Sequence, residues 1–266
     1  MPHVHANGMD IHYVECGQGP ALVMGHSLAL DHRLYDPVVE RLSQHHRVIR
    51  PDFRGHGLST KPHSAYSLAE MTDDLVAFVD ALALETFSYV GLSMGGMIGM
   101  RLALRCPERI RALALMDTSA DVEPGRVAFE QWANMMRGRP ASDSDVEMFL
   151  GISVSPAFLQ ANPPRLDVWR ERLKANDPEG NYHAQMAVLR RDSVLERLGE
   201  LEMPVLFVVG EVDSPTPQAV AEEMHRRVSG SALHVVPGAG HLTVVEEPQQ
   251  VGAVLENFLN GERRAS

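Results

Sequence analysis

Basic residues, cysteines and long apolar runs are all scarce in this sequence. Lys and Arg number 24 against 35 Asp and Glu, so the 266-residue chain has a formal net charge of −11. Attraction to phosphate backbones or anionic lipid surfaces needs an excess of Lys and Arg, and here the balance is reversed. Neither a nucleic acid nor a membrane is expected as a partner. No stretch approaches the roughly 20 apolar residues of a membrane-spanning helix. The N-terminus, Met1-Pro2-His3-Val4-His5, lacks the basic segment and apolar stretch of a secretory signal. The two cysteines, Cys16 and Cys106, cannot make a disulfide framework. The cytoplasm is the expected compartment. His-Glu-x-x-His and clustered Cys/His are missing too, so no metal site and no cofactor are expected.

The order of segments is informative. Asn7-Gly8 sits between two alternating stretches and predicts a hairpin over residues 4–15. Short apolar runs follow at 21–24, 48–49, 87–90, 113–116, 205–209 and 233–236. Such runs suit parallel strands covered on both faces. Amphipathic stretches at 33–42, 68–82, 94–105, 217–228 and 248–259 alternate with them. Strand alternating with helix predicts an α/β fold: a mostly parallel sheet flanked by helices. Residues 121–197 break the pattern with helical apolar spacing punctuated by Pro140, Pro156, Pro163-Pro164 and Pro178. We therefore expect a core of residues 1–120 and 198–266 with a helical cap, or lid, inserted at 121–197. Residues 261–266 are expected to fray.

The chemical centre is Tyr89-Val90-Gly91-Leu92-Ser93-Met94-Gly95-Gly96, a β-prone run entering Gly-x-Ser-x-Gly before a helix. A serine on a sharp strand-to-helix turn projects its hydroxyl freely, and side chains at Gly91 or Gly95 would collide with strand or helix. Serine needs a base held by a third group. Among 13 histidines, His241 follows the last strand in Pro237-Gly238-Ala239-Gly240-His241, where parallel sheets keep their chemistry. His56 is expected to shape its own glycine-rich turn, and His45 and His46, at a helix end, to be solvated. Two residues compete as the acid. Asp213, in the turn after the run at 205–209, is preferred; Asp117 is read as a strand-end residue capping the entry to the lid. Glu211 is expected to point away. An oxyanion would need two backbone donors: the Met94 N–H and, from the loop Gly25-His26-Ser27-Leu28, the Leu28 N–H.

These residues resemble the α/β-hydrolase superfamily over nearly the whole chain. Gly25-His26-Ser27-Leu28 is similar to the family's His-Gly oxyanion loop, with Ser27 in place of glycine. Asp52-Phe53-Arg54-Gly55-His56-Gly57-Leu58-Ser59 is similar to its Asp-x-Arg-Gly-x-Gly-x-Ser segment. Ser93, Asp213 and His241 fall where the family has its triad. Within the superfamily the chain resembles 3-oxoadipate enol-lactonases and related esterases. The carriers are His26-Ser27-Leu28-Ala29-Leu30-Asp31, Asp36-Pro37, the stretch from Gly91 through Gly99, and Ser155-Pro156-Ala157-Phe158. A further stretch, Asp177-Pro178-Glu179-Gly180-Asn181-Tyr182, resembles that group's Pro-x-Gly-Tyr segment with Asn181 inserted. The resemblance implies hydrolysis of a small-molecule ester or lactone through an acyl-enzyme, without a cofactor.

Two other functions stay open at this point. One is hydrolysis of a carbon–carbon bond in a ring-cleavage diketone; the other is ligand binding on a hydrolase scaffold. Trp132, Met136, Phe149 and Met186, with Met135 and Trp169, either line an apolar substrate pocket or form the core of the cap. An acidic substrate would need a cation, and Arg137, Arg139, Arg165, Arg190 and Arg191 are the candidates in the cap.

Overall fold

A computed structural model describes residues 2–261; Met1 and residues 262–266 lie outside the described residues. Most of the tail expected to fray therefore goes undescribed, while Gly261 is the last residue of the closing helix. The hairpin forms as expected: β1 (His3–Ala6) and β2 (Met9–Cys16) meet at Asn7 and Gly8, both at positive φ (49° and 73°). That double positive φ matches the right-handed twist of the flanking strands. The remaining strands are β3 (Ala21–Gly25), β4 (Arg47–Pro51), β5 (Phe87–Leu92), β6 (Ile110–Met116), β7 (Val205–Gly210) and β8 (Ala232–Val236).

Together they make one sheet in the order β1-β2-β4-β3-β5-β6-β7-β8, antiparallel at β1-β2-β4 and parallel from β4 to β8. Every residue of β5 and β7 is buried. Alternate side chains feed two separate cores. Val23, Tyr89 and Phe207 join one apolar cluster with Phe78, Ile98 and Met224. Leu22, Val90 and Val208 join the other with Leu42, Val244 and Leu255. The strands read as continuous apolar runs because both faces are covered by helices.

The first covering helices are α1 (Asp36–Leu42), α2 (Leu68–Ala81) and α3 (Met94–Arg105). A reciprocal Ser67/Glu70 cap starts α2. Between β6 and β7 come α4 (Arg126–Met136), α5 (Asp143–Ser153), α6 (Pro156–Ala161), α7 (Pro164–Lys174) and α8 (Pro178–Leu189). Of the prolines that interrupt the helical pattern, Pro156, Pro164 and Pro178 open α6, α7 and α8, where a missing N–H costs nothing and φ is already set, while Pro140 lies between α4 and α5 and Pro163 precedes α7. After β7 come α9 (Gln218–Arg227), α10 (Thr243–Glu246) and α11 (Pro248–Gly261).

One histidine departs from expectation. His45 is exposed, but His46 is 2% exposed. The β2–β3 loop covers this helix end: a Cβ on Gly17, whose φ is +78°, would lie 2.3 Å from the His46 carbonyl oxygen. Among the described residues, no helix is long and apolar enough to cross a membrane.

Candidate active site

Because β4 and β5 leave β3 in opposite directions, the chain's winding reverses between β3 and β5. Loops after those strands diverge from a crevice there. Ser93 stands at the end of β5 with φ 54° and ψ −115°, a conformation that non-glycine residues seldom adopt. The turn is held by the Ser93 N–H on the Met116 carbonyl (2.9 Å) and the Met97 N–H on the Ser93 carbonyl (3.0 Å). Its glycines are obligatory. A Cβ on Gly91 would lie 2.4 Å from the Gly95 carbonyl oxygen, and one on Gly95 would lie 2.0 Å from that of Gly25. The latter contact presses the β3 loop against the serine turn. Thr118 Oγ1 also donates to the Ser93 carbonyl (2.7 Å).

Ser93 Oγ lies 2.9 Å from His241 Nε2, and His241 Nδ1 lies 3.0 and 3.1 Å from the two Asp213 oxygens. With the imidazole proton on Nδ1, the ring donates to Asp213 and accepts from Ser93. Thr216 completes the carboxylate: its N–H donates to Oδ1 (2.9 Å) and its hydroxyl to Oδ2 (2.7 Å). The spacing Asp-x-x-Thr was a readable signal for this turn. Asp117 is elsewhere. Its Oδ1 accepts the Gly210 N–H (3.0 Å) and its Oδ2 the Thr243 hydroxyl (2.6 Å). It therefore ties the end of β7 to the segment after His241, and does not cap the mouth of the cap. Burial, then the charge of Asp213, pushes its carboxyl well above the usual range. Glu211 points away as expected, accepting the Gly238 N–H (2.8 Å).

The β3 loop is braced by two buried histidines. His26 Nδ1 donates to the Ser27 carbonyl (2.8 Å) and its Nε2 accepts the Phe53 N–H (2.9 Å). His56 Nδ1 donates to the Arg54 carbonyl (2.9 Å) and its Nε2 accepts the Ala29 N–H (3.2 Å). His56 thus reaches beyond its own turn. It holds Ala29, at φ +62°, directly after Leu28. Among the described residues the Leu28 and Met94 N–H groups have no protein acceptor. Such amides, at a loop and at a helix N-terminus, suit a developing oxyanion.

A family model described as "alpha/beta hydrolase fold" matches residues 20–248. The chain belongs to the α/β-hydrolase family. This hydrolase is 27% identical over 262 residues to 3-oxoadipate enol-lactonase 2 of Acinetobacter baylyi, covering 95% of this chain and 96% of that protein. It is 30% identical over 254 residues to the pimeloyl-(acyl-carrier protein) methyl ester esterase of Nitrosomonas europaea, covering 91% and 96%. Its fold matches the enol-lactonase from Burkholderia xenovorans with a TM-score of 0.90 and 26% identity, over 97% of this chain and 100% of that one.

Among the helices between β6 and β7, the segment expected to form the cap, Trp132, Met136 and Phe149 line a cavity of about 100 Å³ together with Ala29, Asn176 and Asn181. Asn176 Nδ2 donates to the Ala29 carbonyl (2.7 Å), tying the cap to the β3 loop. Met186 does not reach this cavity. It packs with Ala133 and Leu189 between α4 and α8, so it belongs to the core of the cap. Trp169 is likewise buried, in the apolar cluster that holds Leu22, Val90 and Val208, and Met135 is 73% exposed. A periodic apolar stripe shows which residues share a helix face, but not which neighbour covers it.

One group could be weighed as a metal site: ligand atoms of His12, His32 and Asp52 lie within 4.8 Å of one another. Both imidazole Nδ1 atoms already hydrogen-bond Asp52 (2.8 Å each), whose oxygens also accept the His32 and Leu58 N–H groups. A cation taking those Nδ1 atoms would break both histidine bonds, so the cluster reads as a brace for the β4 loop.

The buried histidines give a stability prediction. Burial lowers the pKa of His26 and takes that of His56 down to about 3. Below the free imidazole value of about 6.5 the unfolded chain takes up protons that the folded one refuses. Their contribution is therefore whole above about 6.5 and is lost as pH falls toward the folded values. The urea midpoint should be lower at pH 5 than at pH 7.5; equal midpoints would contradict the neutral, buried assignment.

Proposed function

We propose that this hydrolase cleaves a small, uncharged carboxylic ester or lactone through an acyl-enzyme. The observation that carries the reading is the unbroken chain from Ser93 Oγ through His241 to Asp213. In this reading His241 takes the Ser93 proton as Oγ attacks the carbonyl carbon. The Met94 and Leu28 amides hold the oxyanion, and Asp213 stabilises the imidazolium. His241 then gives the proton to the leaving alkoxide. In the second half water loses a proton to His241 as it attacks the acyl carbon; the bond from that carbon to Ser93 Oγ then breaks, His241 returns the proton to Oγ, and the acid leaves. No cofactor enters any step.

The preference for an uncharged substrate rests on the arginines of the cap. Arg137 pairs with Glu179 (3.1 Å), Arg139 with Asp145 (2.9 Å), Arg190 with Glu130 (3.1 Å) and Arg191 with Glu123 (3.2 Å). Arg165 lies over the Phe158 ring and donates to the Glu246 carbonyl (3.2 Å). Each of these five is already engaged, and a substrate carboxylate would have to displace a partner. The cavity beside Ala29 is small, and Trp132, Met136 and Phe149 share its wall with Arg139, Asp145, Asn176 and Gln185; its size supports a short acyl or alkoxy group.

The test is a panel of nitrophenyl esters from acetate to decanoate, small neutral lactones, a carboxylate-bearing enol-lactone and a ring-cleavage diketone. Acetate and butyrate esters should exceed decanoate in kcat/KM by at least about tenfold, because a cavity of about 100 Å³ cannot take the longer chain without rearrangement. Neutral substrates should exceed the carboxylate-bearing lactone. Turnover of the diketone with none of the esters would overturn the reading in favour of carbon–carbon cleavage. Tight stoichiometric binding without turnover would overturn it in favour of a binding protein.

A further inference from the structure

Glu246, the last residue of α10, is 4% exposed and takes no part in the steps above. Its two oxygens face two different parts of the molecule. Oε1 accepts the N–H of Gly240, the residue before His241, at 2.9 Å. Oε2 accepts the N–H of Ser155, which caps α6, at 3.0 Å. One carboxylate therefore joins the His241 loop to the cap. The approach leaves no room for a side chain: a Cβ on Gly240 would lie 2.6 Å from Ser155 N and 2.7 Å from the Val154 carbonyl carbon. On the other side of His241, the Leu242 N–H donates to the Ser153 carbonyl (2.9 Å). Both chain neighbours of His241 are thus tied to cap residues 153–155.

Burying a carboxylate is costly, and two backbone donors to one side chain are charge-assisted bonds that offset the cost. Burial still raises the Glu246 pKa. A loop needing only to be packed could be closed by an apolar side chain at no such cost. We infer that Glu246 is a positioning residue, whose carboxylate sets His241 against Ser93 and makes that placement depend on the docked cap. The inference rests on the reading of His241 as the base. A shift of about 1 Å in a catalytic group costs on the order of 10²-fold in rate.

Two routes break the link independently. Glu246→Ala removes both acceptors, and Glu246→Gln keeps one oxygen but turns an amide N–H toward a backbone N–H. Ser155→Pro removes the donor on the cap side at a residue whose φ is already −62°, but its ring also enters the tight contact of Ser155 N with Gly240 and Glu246, so it tests the docking of the two loops as a whole. Ser155→Ala keeps the N–H and measures what the hydroxyl cap alone contributes. Nitrophenyl acetate kinetics are measured for each, with competent sites counted by phosphonate titration and folding checked by urea melts. Glu246→Ala and Ser155→Pro should lower kcat per titrated site by about 30- to 100-fold with KM within about threefold, the signature of a lost transition-state interaction. Glu246→Gln and Ser155→Ala should fall less. If Glu246→Ala does not fold, Glu246→Gln carries the test. Unchanged kcat per titrated site, or a loss explained entirely by fewer competent sites, would overturn the inference. His241→Ala is run beside them. A dead His241→Ala with fully active Glu246 and Ser155 variants removes the positioning role alone; an active His241→Ala removes the base reading and the inference with it.

Discussion

Ser93→Ala is expected to lower ester turnover by roughly 10³- to 10⁶-fold, the span between losing the nucleophile and retaining only binding and oxyanion stabilisation. The hydroxyl is the atom that forms the acyl-enzyme in the proposed mechanism, and no neighbouring serine stands on the histidine. Folding should be retained. The turn is fixed by backbone bonds to Met116 and Met97 and by the glycines around it, and none of these uses the side chain. The measurement is kcat/KM for a short nitrophenyl ester, with circular dichroism on both proteins. A serine-directed phosphonate should modify wild type at Ser93, located by peptide mass spectrometry, and leave the variant unmodified. Modification at a different serine would remove Ser93 from the mechanism.

Asp213→Asn should cost about 10⁴-fold, and Asp117→Asn less than about tenfold. Both carboxylates are buried near the same loop, so the contrast tests geometry and not proximity. Asp213 receives the Nδ1 hydrogen of His241 and two donors from Thr216. An amide there turns its own N–H groups toward some of those donors. The imidazole is then driven to the tautomer that cannot take the serine proton, which is the physical origin of the large loss. Among the described residues the Asp117 carboxylate hydrogen-bonds Gly210 and the N–H and hydroxyl of Thr243, and it is pushed toward the neutral form by burial and by Asp213. Asparagine is the neutral isostere: its oxygen still accepts from Gly210 and the Thr243 hydroxyl can rotate to accept from its NH₂, so the loss is confined to the long bond (3.4 Å) from the Thr243 N–H. Both variants are measured under one assay with a folding control. An inactive Asp117→Asn beside an active Asp213→Asn would reverse the assignment of the acid.

Much of the architecture was legible before any coordinates. Tight-turn residues at Asn7-Gly8, apolar runs alternating with amphipathic stretches, and Gly-x-Ser-x-Gly at a strand-to-helix junction are local signals, because each reports the conformation of its own few residues. They were enough for a mostly parallel α/β sheet, for the seat of Ser93 and for the loop that carries His241. The prolines at 156, 164 and 178 were local signals too, read as interruptions although each opens a helix.

What remained undecided depended on which distant segments become neighbours. Asp117 and Asp213 both follow strands; pairing of β7 with β8 puts the Asp213 turn beside the His241 loop, while Asp117 is turned toward Gly210 and Thr243. His46 is covered by the glycine-containing loop between β2 and β3, Met186 is enclosed by α4, and the candidate arginines are each engaged by partners dozens of residues away or on the next helix. Glu246 carried no signal of its own, since a glutamate before Glu247-Pro248 reads as an ordinary helix junction until Ser155 and Gly240 are seen at its oxygens. Periodicity and motifs encode backbone state and the facing of a single element. Hydrogen-bond partners across loops are fixed by sheet order and by the docking of the cap, and these exist only once the chain has packed.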